Sequence, residues 1–242
     1  TGTLNNPSSA AQTATYTVTP SASGCNGATF TVTVTVNAIP DIDDLTASTC
    51  SGSGFSVTPA DGTDGTVPSG TTYSWAAPLV TGGITGGASA SGANSVSGTL
   101  TNPTNTVQTA TYTITPTTGS YTGNTFTVTL TLNPVATISS MTQAVCSGTG
   151  FSVTPSDGTN GAIPAGTVYS WSAPVVTGGL TGGSTGTGLA AINGTLVNPT
   201  ATAQTAVYTV TPESGTCTGS DFTLTLTVNA LPVVTITGEN KV

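Results

Sequence analysis

Apolar and polar residues alternate without a break along Phe30-Thr31-Val32-Thr33-Val34-Thr35-Val36. Side chains on a strand point to opposite faces in turn, so this period of two predicts a half-buried β-strand with Phe and Val inward and Thr outward. A Tyr-containing strand precedes it, and Gln12–Asn37 reads as two strands joined by a short Gly/Ser/Asn turn. The same pattern returns at Gln108–Asn133 and at Gln204–Asn229, 96 residues apart each time and with no insertion. Between two returns lie shorter strand patterns at 55–59, 71–75 and 96–100, a loop at Asp61-Gly62-Thr63-Asp64-Gly65 and a turn at Asn102-Pro103. The Gly-rich run 81–92 reads as a long surface connection or an irregular edge. The next repeat copies the order through Cys146, Phe151, Asp157, Tyr169, Trp171, Leu196 and Asn198-Pro199.

About seven short strands with turns every 8 to 12 residues in a unit of this length predict an all-β fold of tandem immunoglobulin-like β-sandwiches in a linear string. The boundaries fall at the Asn/Pro junctions. Residues 1–38 form the last part of a first repeat, 39–134 a complete second, 135–230 a complete third, and 231–242 the start of another. The chain thus reads as a window on a longer string. Trp75 and Trp171 fall where such sandwiches bury a strand-C tryptophan. Tyr16, Tyr112 and Tyr208 open strand F, where a tyrosine-corner residue sits, so all five aromatics are expected to mark cores and corners. The recurrent pair of strands is then the F–G ribbon.

Composition removes most chemistry. Charged residues make up 4% of the chain, with nine acids, one basic residue and no His, where a soluble domain carries roughly a quarter. Abundant Val and Thr with recurring aromatics argue for a packed β protein over disorder. With a net charge of −8 there is no cationic patch for nucleic acid or for anionic lipid headgroups. No apolar run is long enough to cross a membrane as a helix, so direct membrane insertion is not expected. Nucleophilic triads need a base, and there is no His and one Lys near the end; phosphate loops need a Lys that the Gly runs lack; zinc sites need clustered Cys or His, and the four Cys are scattered singly. The chain is read as no enzyme and without a cofactor. Two readings stay open for the acids. Asp41, Asp43 and Asp44 crowd a junction, and Asp61 and Asp64 share a loop, which suits calcium. Ordinary turn chemistry suits them equally, and the next repeat replaces the second loop acid by Asn160 and lacks acids at 137–140.

The runs C-S-G-x-G-F-S-V-T-P, Y-S-W, N-P-T, T-A-x-Y-T-V-T-P and F-T-V-T-V-T-V-N together resemble the PKD-like, immunoglobulin-like repeats of very large Bacteroidota cell-surface proteins, gliding adhesins among them. The resemblance covers the whole chain and implies an extracellular stalk, adhesin or filament exported by a type IX system. Its partners would be neighbouring repeats of the same chain and identical chains in a fibre. An exported chain oxidises its cysteines. Cys50 and Cys146 precede strand B, and Cys25 and Cys217 lie in F–G turns. In a sandwich these turns lie at opposite poles, roughly 25 Å apart along a strand of about eight residues, against about 6 Å between bridged Cα atoms. A head-to-tail string would instead bring Cys50 to Cys217 across domains and leave Cys25 and Cys146 to repeats outside the window. A bridge within one repeat, Cys146 to Cys217, and free or intermolecular thiols are the alternatives. The functional expectation is a structural stalk or filament segment; the alternative is a glycan- or host-surface-binding module that uses the Gly-rich loops 81–92 and 177–188.

Overall fold

The computed structural model describes residues 2–233, so most of the 231–242 stretch expected to open a further repeat lies outside the described residues. Among these residues every regular element is a strand. The chain divides into two compact units, Thr1–Asn102 with Gln108–Leu132, and Pro103–Val107 with Asn133–Val242.

In the first unit the larger sheet runs Ala90–Ala93, Thr72–Trp75, Gln108–Thr118, Phe126–Asn133 and Leu45–Cys50 in spatial order. The opposing sheet is Thr85–Gly86, Val96–Thr101 and Gly54–Val57. The core between them follows from the alternation. Val128 and Leu130 on one strand and Tyr112 and Ile114 on its neighbour are buried, each contributing about 1.5–3 kcal/mol through removal from water. Trp75 stands edge-on to Tyr112, with centroids 6.4 Å apart, and Phe55 lies 5.7 Å from the same ring. The expected strand-C tryptophan is therefore in the core of this repeat, and Trp171 is buried alike in the other.

The second unit repeats the plan. Its larger sheet is ordered Met141–Cys146, Phe222–Asn229, Gln204–Ser214, Val168–Trp171 and Gly186–Leu189, and its opposing sheet Gly150–Val153, Ile192–Val197 and Thr181–Gly182. The first strand runs parallel to the last, with Met141 beside Leu224 and Cys146 beside Asn229. This is an immunoglobulin-like sandwich, as the strand count and spacing predict.

Three details correct or sharpen the sequence reading. Strand F is longer than the alternation suggests and carries Pro116 and Pro212 inside it. Proline is tolerated there because the ladder to strand G ends at Ile114–Phe126. Beyond that point the carbonyl of Pro116 takes the Gly123 N–H at 3.0 Å, so no donor is needed on that side. Of the two readings of the Gly-rich run, the irregular edge holds: Thr85–Gly86 pairs with Val96–Thr101, and Ala90–Ala93 pairs with Thr72–Trp75 through a register shift. Finally, Tyr112 and Tyr208 are buried core residues whose hydroxyls have no hydrogen-bond partner among the described residues, so they make core contacts without the backbone bond of a tyrosine corner. Tyr16 is 47% exposed. Among the described residues its ribbon, Gln12–Val18 with Phe30–Val36, pairs only with itself, and no second layer covers the face that holds Tyr16, Phe30, Val32 and Val34.

Candidate functional site

The polar side chains gather at the boundaries between repeats. Each boundary is built from three recurring pieces: the Asn-Pro turn and the loop after it, the Asp-Gly-Thr loop, and the F–G turn.

The Asn of the Asn-Pro turn is a clamp. Asn6 Nδ2 donates to the carbonyls of Ala10 and Val36, both at 2.8 Å, and its Oδ1 accepts from Ser8 N–H at 3.0 Å. Asn198, buried in the other unit, repeats this with Thr202 and Val228 carbonyls at 2.8 Å and with Thr200 N–H at 2.9 Å. Asn102 is also buried and donates to the Leu132 carbonyl. One side chain thus satisfies the turn and the end of strand G together, which a carboxylate could not do because it has no donor. The sequence marks Asn-Pro as a turn, but gives no signal that the amide reaches a strand about 30 positions away.

The acids act as acceptors for nearby backbone. Asp61 Oδ1 takes Val67 N–H at 2.9 Å, and Asp157 Oδ1 takes Ile163 N–H at 2.8 Å. Asp64 Oδ2 takes Ala60 N–H at 2.8 Å; Asn160 Oδ1 takes Ser156 N–H at 2.7 Å, so the amide serves the turn as well as the acid does. Asp44 takes Thr127 N–H at 2.6 Å, and its counterpart Ser140 binds Thr223 through its hydroxyl. Asp41 accepts from Asn124 at 3.3 Å, and Asp43 N–H donates to the Asp64 carbonyl. Hydrogen bonds from the Ser9 side chain and Val67 N–H hold the Asp61 carboxyl below the usual carboxylate range, and those from Thr127 do the same for Asp44. Among the described residues no three His, Cys, Asp or Glu side chains gather where a metal ion could sit. The structure therefore brings Asp61 and Asp64 into one turn without making a calcium cage of them and the junction acids.

The Asp-Gly-Thr loop also meets the loop that follows the Asn-Pro turn. The Ser9 side chain lowers the pKa of Asp61, and at the equivalent positions of the second unit Asn105 Nδ2 donates to Asp157 at 2.5 Å. A cleft lies beside each contact, about 520 Å³ in the first unit and about 560 Å³ in the second. Their walls match position for position at the 96-residue period: Ser9 with Asn105, Asn37 with Asn133, Pro68 with Pro164. No charged side chain lines either cleft.

The F–G turn completes the boundary. Asn37, at the end of the first ribbon, donates from Nδ2 to the Tyr121 hydroxyl at 2.9 Å. A Cβ on Gly123 would come within 2.0 Å of the Pro40 carbonyl, so only glycine lets the chain pass this closely. At the position of Tyr121 the next repeat has Cys217, buried and disulfide-bonded. Cys50, the last residue of the strand Leu45–Cys50, is also disulfide-bonded, while Cys25 and Cys146 are free and exposed.

Comparison with known proteins gives one family. The PKD-like domain model matches residues 1–40, 47–136 and 139–232. No curated protein matches the chain. Similar solved structures include an endo-fucoidan hydrolase of glycoside hydrolase family 107 (11% identity, TM-score 0.30, 91% of this chain and 34% of that one). The Bacteroides ovatus mixed-linkage glucan utilization locus protein SGBP-B is similar at 13% identity and a TM-score of 0.26, over 79% of this chain and 46% of that one. The human desmocollin-1 ectodomain is similar at 13% identity and a TM-score of 0.35, over 90% and 48%. The chain spans about a third of the length of the fucoidan hydrolase chains it matches.

Proposed function

Because the chain belongs to the PKD-like domain family, we propose that it is a structural segment of an extracellular stalk or filament of a large surface adhesin. It would carry a distal binding tip away from a cell whose type IX system exports it. One observation carries this reading. The boundary hardware recurs at a fixed 96-residue period, with the same clamp, the same acceptor loop and the same cleft walls. A binding module needs one distinctive site, whereas a string needs identical joints. The side-chain inventory supports a non-catalytic role: the joints hold amides, hydroxyls and carboxylates bonded to backbone, with no base beside a nucleophile. The Gly-rich runs support it too. Gly87 has φ +74°, and a Cβ there would lie 2.8–2.9 Å from Leu100, Pro78 and the Tyr112 hydroxyl. Glycine at that point is accounted for by packing over the core, without a ligand.

Antibodies against this chain, applied to intact unpermeabilised cells that express the natural protein, test the proposal. Label along surface fibres is the expected result. Label seen only after permeabilisation contradicts it. A glycan array probed with the chain separates the alternative: the stalk reading predicts silence, and saturable binding abolished by changes in 81–92 would favour a glycan module.

A further inference from the structure

Residues 1–40 carry no charged side chain; all nine acids and the one Lys lie beyond them. A chain of net charge −8 repels its own copies, so two copies approach at the least Coulombic cost through this neutral segment. The ribbon Gln12–Val18 with Phe30–Val36 lies within it. One face of the ribbon is apolar and open: Tyr16 is 47%, Phe30 51% and Val32 40% exposed. On the matching ribbon of the following repeat the same face, with Tyr112, Phe126 and Val128, is buried under an opposing sheet. The pattern is therefore one that packs against a second apolar sheet face about 10 Å away. The open face is also uneven. Val18 stands opposite Phe30 at one end of the ribbon, and Gln12 opposite Val36 at the other. Toward the second end a hollow of about 840 Å³ is lined by Leu4, Tyr16, Val32, Val34 and Ile39. Phe30 takes no part in that lining; it is a knob at the first end, about 20 Å along the strand from Val36.

We infer that this face is an interface between two copies of the chain, stacked ribbon on ribbon about a twofold axis, with Phe30 of each copy entering the hollow of the other. In a twofold contact one surface must complement itself: residue i meets j, and j meets i. A knob and a hollow at opposite ends of one face meet that condition when the second copy is turned end for end. Tyr16 and Val32, directly opposite each other between the two ends, pack against the second ribbon beneath the knobs. The exposed parts of Leu4, Tyr16, Phe30, Val32, Val34 and Ile39 are covered. Half of the roughly 150–250 Å² of each aromatic ring, with the Leu, Val and Ile remainders, is on the order of 500 Å² per copy, or about 1,000 Å² for the pair. That lies at the lower limit of specific interfaces, so the pair forms and dissociates reversibly. The pairing does not rest on the stalk reading; where that reading holds, it joins two chains of one fibre.

Sedimentation velocity of the chain in reductant and about 0.15 M salt, at concentrations up to about 1 mM, tests the pairing. The expected result is a reversible monomer–dimer equilibrium that stops at two copies. Phe30→Asp and Val32→Asp are each expected to weaken it about tenfold or more, because each buries a carboxylate without a partner. Thr33→Asp puts the same charge on the opposite face and should shift it by less than about threefold. A benzophenone side chain at position 30 gives a reading that does not depend on how these variants fold. In a mixture of isotopically light and heavy chains, irradiation is expected to join position 30 of one copy to the Leu4 or Ile39 segment of the other. A chain that stays monomeric up to about 1 mM overturns the proposal, even if the hollow takes up a hydrophobic dye. So do oligomers that grow past two copies, equal weakening by Thr33→Asp, or the absence of light–heavy adducts. None of these outcomes alters the surface-labelling result, so the pairing and the stalk reading fail separately.

Discussion

At the level of single residues, the acids and tyrosines show how one side chain is fitted to its place. Asp64 and Asn160, or Asp44 and Ser140, differ in charge but perform the same acceptor task. The expected consequence is that Asp64→Asn leaves the melting temperature unchanged within about 2 °C, both with and without millimolar calcium; a calcium-dependent rise in the parent chain would argue for a cation site. The tyrosines set the alkaline limit. Burial pushes the phenols of Tyr73, Tyr112, Tyr169 and Tyr208 above their ordinary range, with the Asp64 charge adding to the effect at Tyr73. The unfolded chain therefore loses protons first as pH rises past about 10, and stability falls with pH from there. Below that point the contribution is complete. Denaturant titrations from pH 6 to 11 should give a plateau and then a decline; a decline that begins near pH 8 would contradict the assignment. Tyr112→Phe removes a buried hydroxyl without a partner among the described residues. Its stability should be unchanged or higher by up to about 1 kcal/mol, measured by urea unfolding.

At the level of elements, the ribbon and the Asn-Pro turn work together. The alternating Thr and Val residues made strands F and G readable in advance, because period two has one structural solution. The strand-C tryptophans were readable for a similar reason: a large apolar residue in a short strand of a polar chain has few places to go. The reach of Asn198 was not readable. Its partner Val228 is 30 positions away and offers a backbone carbonyl, which leaves no mark in the side-chain pattern. For the Gly-rich run the sequence left a surface connection and an irregular edge open, since glycine reports only that the backbone is unusual; which strands it pairs with was not readable. Asn198→Ala should cost about 2–4 kcal/mol, because it leaves the Val228 carbonyl and Thr200 N–H without their partners in a buried setting. Asn198→Asp keeps the acceptor and loses the donor, and should also be destabilising. Gly123→Ala should cost about 1–3 kcal/mol, since the Pro40 backbone must move to admit the methyl group. Urea unfolding of the three variants checks these values.

At the level of the whole molecule, the 96-residue period is the property from which the rest follows. It made the fold class legible from sequence, and it relates the two clefts to one another. Exposure of Tyr16 and Phe30, where Tyr112 and Phe126 are buried, belongs to this scale as well. The apolar pattern of the two ribbons is the same, but burial depends on a second sheet that the ribbon itself does not supply. The central claim is that the repeats are cooperative modules that resist a pulling force. Pulling single molecules of this chain by its ends tests that claim most directly. In reductant, the account predicts discrete unfolding steps, each releasing roughly 300–340 Å of chain for a repeat of about 95 residues. A smooth, low-force extension in reductant, with no discrete steps, would contradict it.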